Sequence, residues 1–330
     1  MSGEFTYKGA GVDIEEADAL VGDIGELRRQ TEAKRSLMQS FGLFAASYDL
    51  SDYKEPVIVT GCDGVGTKLD LLLQHDQLEI AGKDLVAMSV NDILTTGGDA
   101  LLFLDYIGVG RIDKTKIKRL IAGMAEYLSD CDCILAGGET AEMPGIVPDG
   151  MIELSGFCVG AAEKPNLIDP ARIEVGDKLI GYPSDGFHAN GWSLIRKIIS
   201  ANPGLIEDNE WEQFLAPTRL YHDVVAGLRE KQLDVRAMAH NTGGGLPENL
   251  ERLLGDKGAD ITIPRWETGA VGKVLSFVED DEAVKTFNMG WGWIVIVPAD
   301  QSEAAASVQE GALVIGEVDD SGTVRVEISN

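Results

Sequence analysis

Residues 56–68 read Pro56-Val57-Ile58-Val59-Thr60-Gly61-Cys62-Asp63-Gly64-Val65-Gly66-Thr67-Lys68. An apolar run of strand character passes without a break into a glycine-rich segment that holds one acid and one lysine. The run Pro56–Thr60 predicts a strand, and the following residues predict a turn. Gly61, Gly64 and Gly66 let a backbone approach a ligand closely, and successive amides can cradle phosphate oxygens. Asp63 suits Mg²⁺, which takes one or two carboxylates together with phosphate oxygens. Lys68 would offset phosphate charge. The spacing is not that of a Walker loop, because G-x-x-x-x-G-K-[ST] is absent. By itself the stretch also fits a plain turn with an exposed Asp.

Outward from it, Lys83–Thr96 predicts a helix, with Leu85, Val86, Met88, Val90, Ile93 and Leu94 at helical spacing and Gly97-Gly98 as its stop. Asn91 and Asp92 interrupt that apolar face. Asp is a poor helix-interior residue and expensive to bury unpaired, which a metal ion would relieve. A solvent-facing Asp is the alternative. Leu101–Val109 predicts a strand with Asp105 inside it, a charge that needs a partner. Lys114–Leu128 predicts a helix. Cys131–Ala136 predicts a strand emptying into Gly137-Gly138-Glu139-Thr140, where Glu139 and Thr140 suit metal or substrate contacts. Asp63, Asp92, Asp105 and Glu139 each stand at or near an apolar element, and together they suggest a divalent-metal and nucleoside triphosphate site.

After the strand Ile152–Glu163, Lys164–Pro170 holds two prolines among polar residues and suits a linker. Two α+β domains are expected, residues 1–166 and 167–330, because strands and helices mix in each half without strict βαβ order. In the second half His188 lies in the loop Pro183–Asn190, a good place for proton transfer with substrate. A structural hydrogen bond is the competing role. Thr242-Gly243-Gly244-Gly245 precedes a helix with Pro247 near its start, and free amides there bind phosphate well.

Composition narrows the class. Asp and Glu number 55 against 28 Lys and Arg, for a net charge of −27, so nucleic acid and anionic membranes are poor partners. Hydrophobic residues at 44% are too many for a disordered acidic chain. The run Trp293–Val297 is far short of a membrane span. No secretory signal is visible at the N-terminus, which favours a cytoplasmic protein. Cys62, Cys131, Cys133 and Cys158 form no CxxC pair and read as reduced thiols. His75, His188, His222 and His240 show no zinc-ligand spacing.

Several segments occur in one order: Tyr7–Ile14, Asp63–Lys68, Val90-Asn91-Asp92, Phe103–Tyr106, Gly137–Pro144, Gly156–Gly160, His188–Leu194, Thr242–Asn249 and Thr286–Gly290. Together they resemble the aminoimidazole ribonucleotide synthetases, over nearly the whole chain. The resemblance implies an ATP- and Mg²⁺-dependent ligase of purine synthesis that closes the imidazole ring of a ribonucleotide. It implies a homodimer whose N-terminal sheets join into a shared barrel, and a sandwich-like C-terminal domain. It also implies site roles: Lys8, Asp13, Gly64, Gly66, Thr67, Lys68, Asn91, Asp105 and Thr140 toward ATP; Asp63, Asp92 and Glu139 toward metal; His188, Asn190, Thr242, Gly243, Gly244 and Gly245 toward substrate and phosphate. His188, Asp63 and Lys68 are the expected catalytic set.

The chain departs from the family's usual pattern at Met38–Phe44, at Trp192 in place of a Tyr, and at Trp291 and Trp293. Another ATP-dependent member of the superfamily, or a catalytically silent nucleotide-binding paralogue, is the alternative. The intact acids favour an active enzyme. Only a few of the 55 acids are needed at such a site. The others read as a solvated surface that suits a salty environment, where screening weakens their repulsion.

Overall fold

The computed structural model describes residues 22, 24–38 and 44–329. It divides into two compact units: the described residues through Val65 with Leu69–Ile93 and Gly98–Lys164, and Gly66–Lys68 with Leu94–Gly97 and Pro165 onward. The sequence suggests a helix over Ile14–Gln39; residues 22 and 24–30 are helical, residues 31–38 form turns, bends and coil instead, and the rest lies outside the described residues.

The first unit runs β1 (Pro56–Gly64), α1 (Lys68–Gln74), α2 (Leu78–Thr95), β2 (Asp99–Val109), α3 (Lys114–Asp130), β3 (Ile134–Glu142) and β4 (Ile152–Glu163). The strands form one sheet in the order β1-β4-β2-β3. β4 is antiparallel to both β1 and β2, and β2 is parallel to β3 across the α3 crossover. Alternation sorts each strand into two faces. Phe103, Ile107, Leu154 and Cys158 are buried, as are the apolar residues of α2 and α3. Ile58, Leu104, Tyr106 and Phe157 stand exposed on the opposite face.

Glycines set how closely the helices approach. Gly61, Gly156 and Gly160 form a bare lane on β1 and β4, and α2 lies against it through Ser89, Asp92 and Ile93. A Cβ at Gly61 would stand 3.6 Å from the Asp92 Cβ. A Cβ at Gly82 of α2 would overlap the Leu120 carbonyl of α3, and one at Gly123 of α3 would overlap the Glu79 carbonyl. Glycine inside a helix costs up to about 1 kcal/mol relative to Ala. Here that cost is offset by a backbone-to-backbone crossing that no larger residue permits.

The second unit runs β5 (Lys178–Pro183), α4 (Trp192–Ala201), α5 (Trp211–Phe214), α6 (His222–Glu230), β6 (Ala237–His240), α7 (Gly245–Leu254), β7 (Gly258–Pro264), α8 (Gly269–Leu275), α9 (Asp280–Thr286), β8 (Trp291–Val297), α10 (Ser302–Ala306), β9 (Leu313–Asp319) and β10 (Val324–Ser329). Its sheet order is β10-β7-β9-β5-β8-β6, with only the β10–β7 pair parallel. Every residue of β8 is buried, so both faces of the sheet are covered there.

The architecture is mixed α/β with one sheet in each unit, and no closed barrel is present among the described residues. Two expected loops are strands. Gly61–Gly64 continues β1, and Gly137–Glu142 continues β3. Ladder partners on β4 and β2 hold these glycines extended, and a local glycine signal contains no trace of such long-range pairing. The short helices α5, α8 and α9 are too brief to show a period in sequence.

Candidate active site

In the first unit the sheet register builds an acidic row. Asp63 of β1 faces Gly156 of β4, Gly156 faces Asp105 of β2, and Asp105 faces Gly138 of β3. Residues paired across a sheet share a face, so both acids lie on the face that α2 and α3 cover. Gly156 separates them by two strand spacings, roughly 10 Å. Gly61, two residues before Asp63, shares that face and abuts Asp92. Asp63, Asp92 and Asp105 therefore converge on one glycine-bared surface, with Asn91 fully buried beside Asp92. Asp63 accepts the Gly64 amide at 2.7 Å.

Asp105 is buried in the sheet. Burial pushes its carboxyl up to about 7, with its own backbone hydrogen bond opposing and the nearby Glu139 charge adding. A Cβ on Gly138 would fall on the Asp105 carboxylate, so the glycine is what gives that group room. The raised value has a consequence for stability. The folded state holds this proton more tightly than the unfolded chain does. The stabilisation is complete below the unfolded value near 3.8 and is lost as pH rises through about 7. Asp105→Asn removes the titration. Its melting temperature should exceed that of the parent chain by an amount that grows from about pH 4 to about pH 7 and then levels. At about 1.4 kcal/mol per pKa unit the upper bound is of order 4 kcal/mol. A constant difference across pH would show that Asp105 titrates normally.

Glu139 is exposed and pairs in register with Tyr106, on the face opposite Asp105. Thr140 pairs with Ile107, on the Asp105 side. Among the described residues no group of three or more His, Cys, Asp or Glu gathers as a metal cluster. Asp63 and Asp92 supply carboxylate oxygens, the donor type that Mg²⁺ takes together with phosphate oxygens.

In the second unit Lys68, expected to offset phosphate charge, is wholly buried. Its ammonium donates to the Ala216 carbonyl at 2.7 Å and stands 5.5 Å from the centroid of the Trp192 ring. Thr67 Oγ1 lies 3.0 Å from Ser193 Oγ. His188 is buried as well, with φ of 57°. Its Nε2 accepts the Arg219 amide at 3.4 Å, its Nδ1 has no hydrogen-bond partner, and its ring lies 6.2 Å from that of Tyr221. Burial holds its basicity well below the usual imidazole range, with the charges of His240, Lys68 and Arg219 adding. The ring is therefore neutral near pH 7, suited to accepting a proton only if substrate reaches it. Gly292 makes this arrangement possible, because a Cβ there would collide with both the Tyr221 hydroxyl and the His188 ring.

The Thr242–Gly245 loop enters α7 with Gly244 at φ 91° and Gly245 at φ 59°. Asn249 braces it, donating to the carbonyls of Thr242, Gly243 and Gly245. The Asn190 amide lies beside this turn, and its buried Nδ2 has no hydrogen-bond partner. Glu248, in the first turn of α7, lies close to Gly244 and pairs with Arg252 at 2.8 Å. Lys8 and Asp13 lie outside the described residues, as does most of the Met38–Phe44 departure.

Known proteins match the chain over both units. Residues 45–162 match the N-terminal domain of AIR synthase related proteins, and residues 174–329 match the C-terminal domain. The chain is 39% identical to a phosphoribosylformylglycinamidine cyclo-ligase of Picosynechococcus sp., over 94% of this chain and 97% of that protein. The chain belongs to the phosphoribosylformylglycinamidine cyclo-ligase family. A cyclo-ligase of Desulfitobacterium hafniense is 42% identical over 95% of this chain and 96% of its own.

Among solved structures, hydrogenase maturation protein HypE in complex with ATP superposes with a TM-score of 0.69 at 18% identity, over 95% of this chain and 91% of that one. Thiamine-monophosphate kinase from Stenotrophomonas maltophilia gives 0.67 at 16% identity, over 92% and 96%. At such identities these two show a shared fold and nothing finer. Within this cyclo-ligase chain, Tyr221, Asn249 and Gly292 shape the surroundings of the expected residues and were not foreseen. Asn249 stands four residues after Gly245, and that helical spacing was the one available signal.

Proposed function

We propose that the chain converts formylglycinamidine ribonucleotide and ATP to aminoimidazole ribonucleotide, ADP and phosphate in purine biosynthesis. Kinship with named cyclo-ligases, 39% identity over 94% of the chain, carries this reading. The presence of Asp63, Asp92, Asp105 and Glu139 supports it.

The chemistry needs two steps. The formyl oxygen takes the γ-phosphoryl group of ATP, releasing ADP. The amidine nitrogen then attacks the activated carbon, and phosphate departs as the ring closes. An amide oxygen is a poor leaving group until phosphorylated. Closure itself needs proximity, because both reacting groups belong to one molecule. Asp63 and Asp92 would hold Mg²⁺, which supplies charge neutralisation for the phosphates. Glu139, expected to join that set, stands on β3 and on the opposite face of the sheet, so within one chain it does not share an ion with Asp63 and Asp92. Gly64, Gly66, Thr67, Asn91, Asp105 and Thr140, with Lys8 and Asp13, bind and orient the nucleotide. The unpartnered Nδ2 of Asn190, with the amides of Thr242–Gly245, offers donors for the anionic ribonucleotide. His188 and Lys68 act within the second unit, the first as a neutral imidazole and the second as a fixed positive charge.

Ile58, Leu104, Tyr106 and Phe157 present an apolar sheet face to solvent, and monomers seldom leave such a face uncovered. A second copy of the chain is the proposed cover, with the two sheets joining into the barrel. Phe157→Asp should weaken the dimer by about 30-fold or more, seen by sedimentation velocity. A wild-type chain that sediments as a monomer would overturn the dimer.

The function is tested by giving the purified protein formylglycinamidine ribonucleotide, ATP and Mg²⁺, and measuring aminoimidazole ribonucleotide against ADP. Equal amounts of the two are expected. A folded protein that yields neither rejects the reading.

A further inference from the structure

We propose that Trp192 is a positioning residue for the reaction, holding the Gly66–Lys68 turn with its ring face and the His188–Asn190 loop with its indole N–H. The proposal rests on the placing of Lys68, His188 and Asn190 in the site.

Trp192 is the first residue of α4, directly after Gly191, whose φ of 79° and lack of a Cβ let Phe287 lie against it. The indole Nε1–H donates to the His188 carbonyl at 2.5 Å. His188 is a non-glycine residue in the left-handed region, a conformation that needs support from its surroundings. The indole bond fixes the carbonyl whose direction that conformation sets. On its face the same ring receives the Lys68 ammonium at 5.5 Å, within the range of cation–π attraction. A fully buried ammonium needs such partners, and the Ala216 carbonyl supplies another. The adjacent pair agrees, because Ser193 meets Thr67 as Trp192 meets Lys68. Edge contacts with Phe187 and Phe214, at centroid distances of 6.2 Å and 5.4 Å, leave the ring one orientation. One side chain thus fixes a cation on the nucleotide-binding turn and the backbone of the substrate loop.

Two variants of the full chain separate these contacts. Trp192→Phe keeps the ring face and loses the N–H, whereas Trp192→Leu loses both. Each is read by steady-state kinetics with both substrates and by acylation of lysine amines mapped by mass spectrometry. Trp192→Phe should keep Lys68 protected and the KM for ATP within about twofold. It should lower kcat/KM for the ribonucleotide about tenfold, because a small misplacement suffices for that. Trp192→Leu should also expose Lys68 to acylation and raise the KM for ATP about tenfold.

A merely structural role would lower kcat in step with the folded fraction and move neither KM, which overturns the proposal. Unchanged kinetics in a folded Trp192→Phe overturn it too, and that arm decides if Trp192→Leu does not fold. If the wild-type chain shows no cyclo-ligase activity, the functional reading fails separately. The acylation arm then decides alone, and Lys68 equally protected in Trp192→Leu overturns the positioning role.

Discussion

Asp92→Asn is expected to lower turnover by about 100-fold or more at limiting Mg²⁺, with the melting temperature nearly unchanged. The exchange is isosteric, so the contact of Asp92 with Gly61 survives. Only the negative charge goes, and a hard cation bound by few protein ligands depends on each of them. Asn91 precedes it in α2, fully buried, and fixes which side of the helix Asp92 occupies. Turnover measured across a Mg²⁺ titration, with circular dichroism in parallel, checks this. Partial rescue by high Mg²⁺ would agree with a lost ligand. Wild-type turnover at limiting Mg²⁺ would remove Asp92 from the metal site.

Gly82→Val should undo the first unit. The added side chain has no space, because its first carbon already overlaps the Leu120 carbonyl, and that obstacle is backbone that cannot rotate away. Overpacking a core costs about 1–3 kcal/mol when side chains can give way. Here two helices must separate, so about 3 kcal/mol or more is expected, or a fall in melting temperature of about 10 °C. Differential scanning calorimetry measures it. A shift under about 2 °C would mean that α2 and α3 slide past each other cheaply. The same separation would tilt the helix carrying Asn91 and Asp92, so activity should fall even in whatever fraction remains folded.

Some elements were legible because their cause is local. The strand Ile152–Glu163 and the helix beginning at Lys114 have their bounds written in apolar spacing and a capping acid, Asp113. The acids Asp63, Asp92 and Asp105 could be singled out because a charge in an apolar run needs a reason. Other features had no local cause. Gly137–Thr140 looks like a loop and is strand because β2 supplies its ladder. Lys68 reads as a counter-charge to phosphate, and its burial with Ala216 and Trp192, far along the chain, beside its ammonium has no sign in the local sequence. His188 looks like a loop residue open to substrate, and Tyr221 and Gly292 lie against its ring.

Two mixed domains, a strongly acidic composition, and a set of acids and glycines beside apolar elements are all read from the sequence. Each depends on composition or on neighbours a few positions apart. The tertiary structure alone decided that Asp63 and Asp105 share a face across Gly156, that Glu139 takes the other face, and that Trp192 joins Lys68 to His188. Sheet register and buried contacts bring together residues distant in the chain, and register depends on the pairing of whole strands. Glycine carries both kinds of information. Its place in the sequence announces that something approaches closely, and only the fold shows whether that is a helix, a carboxylate or a ligand.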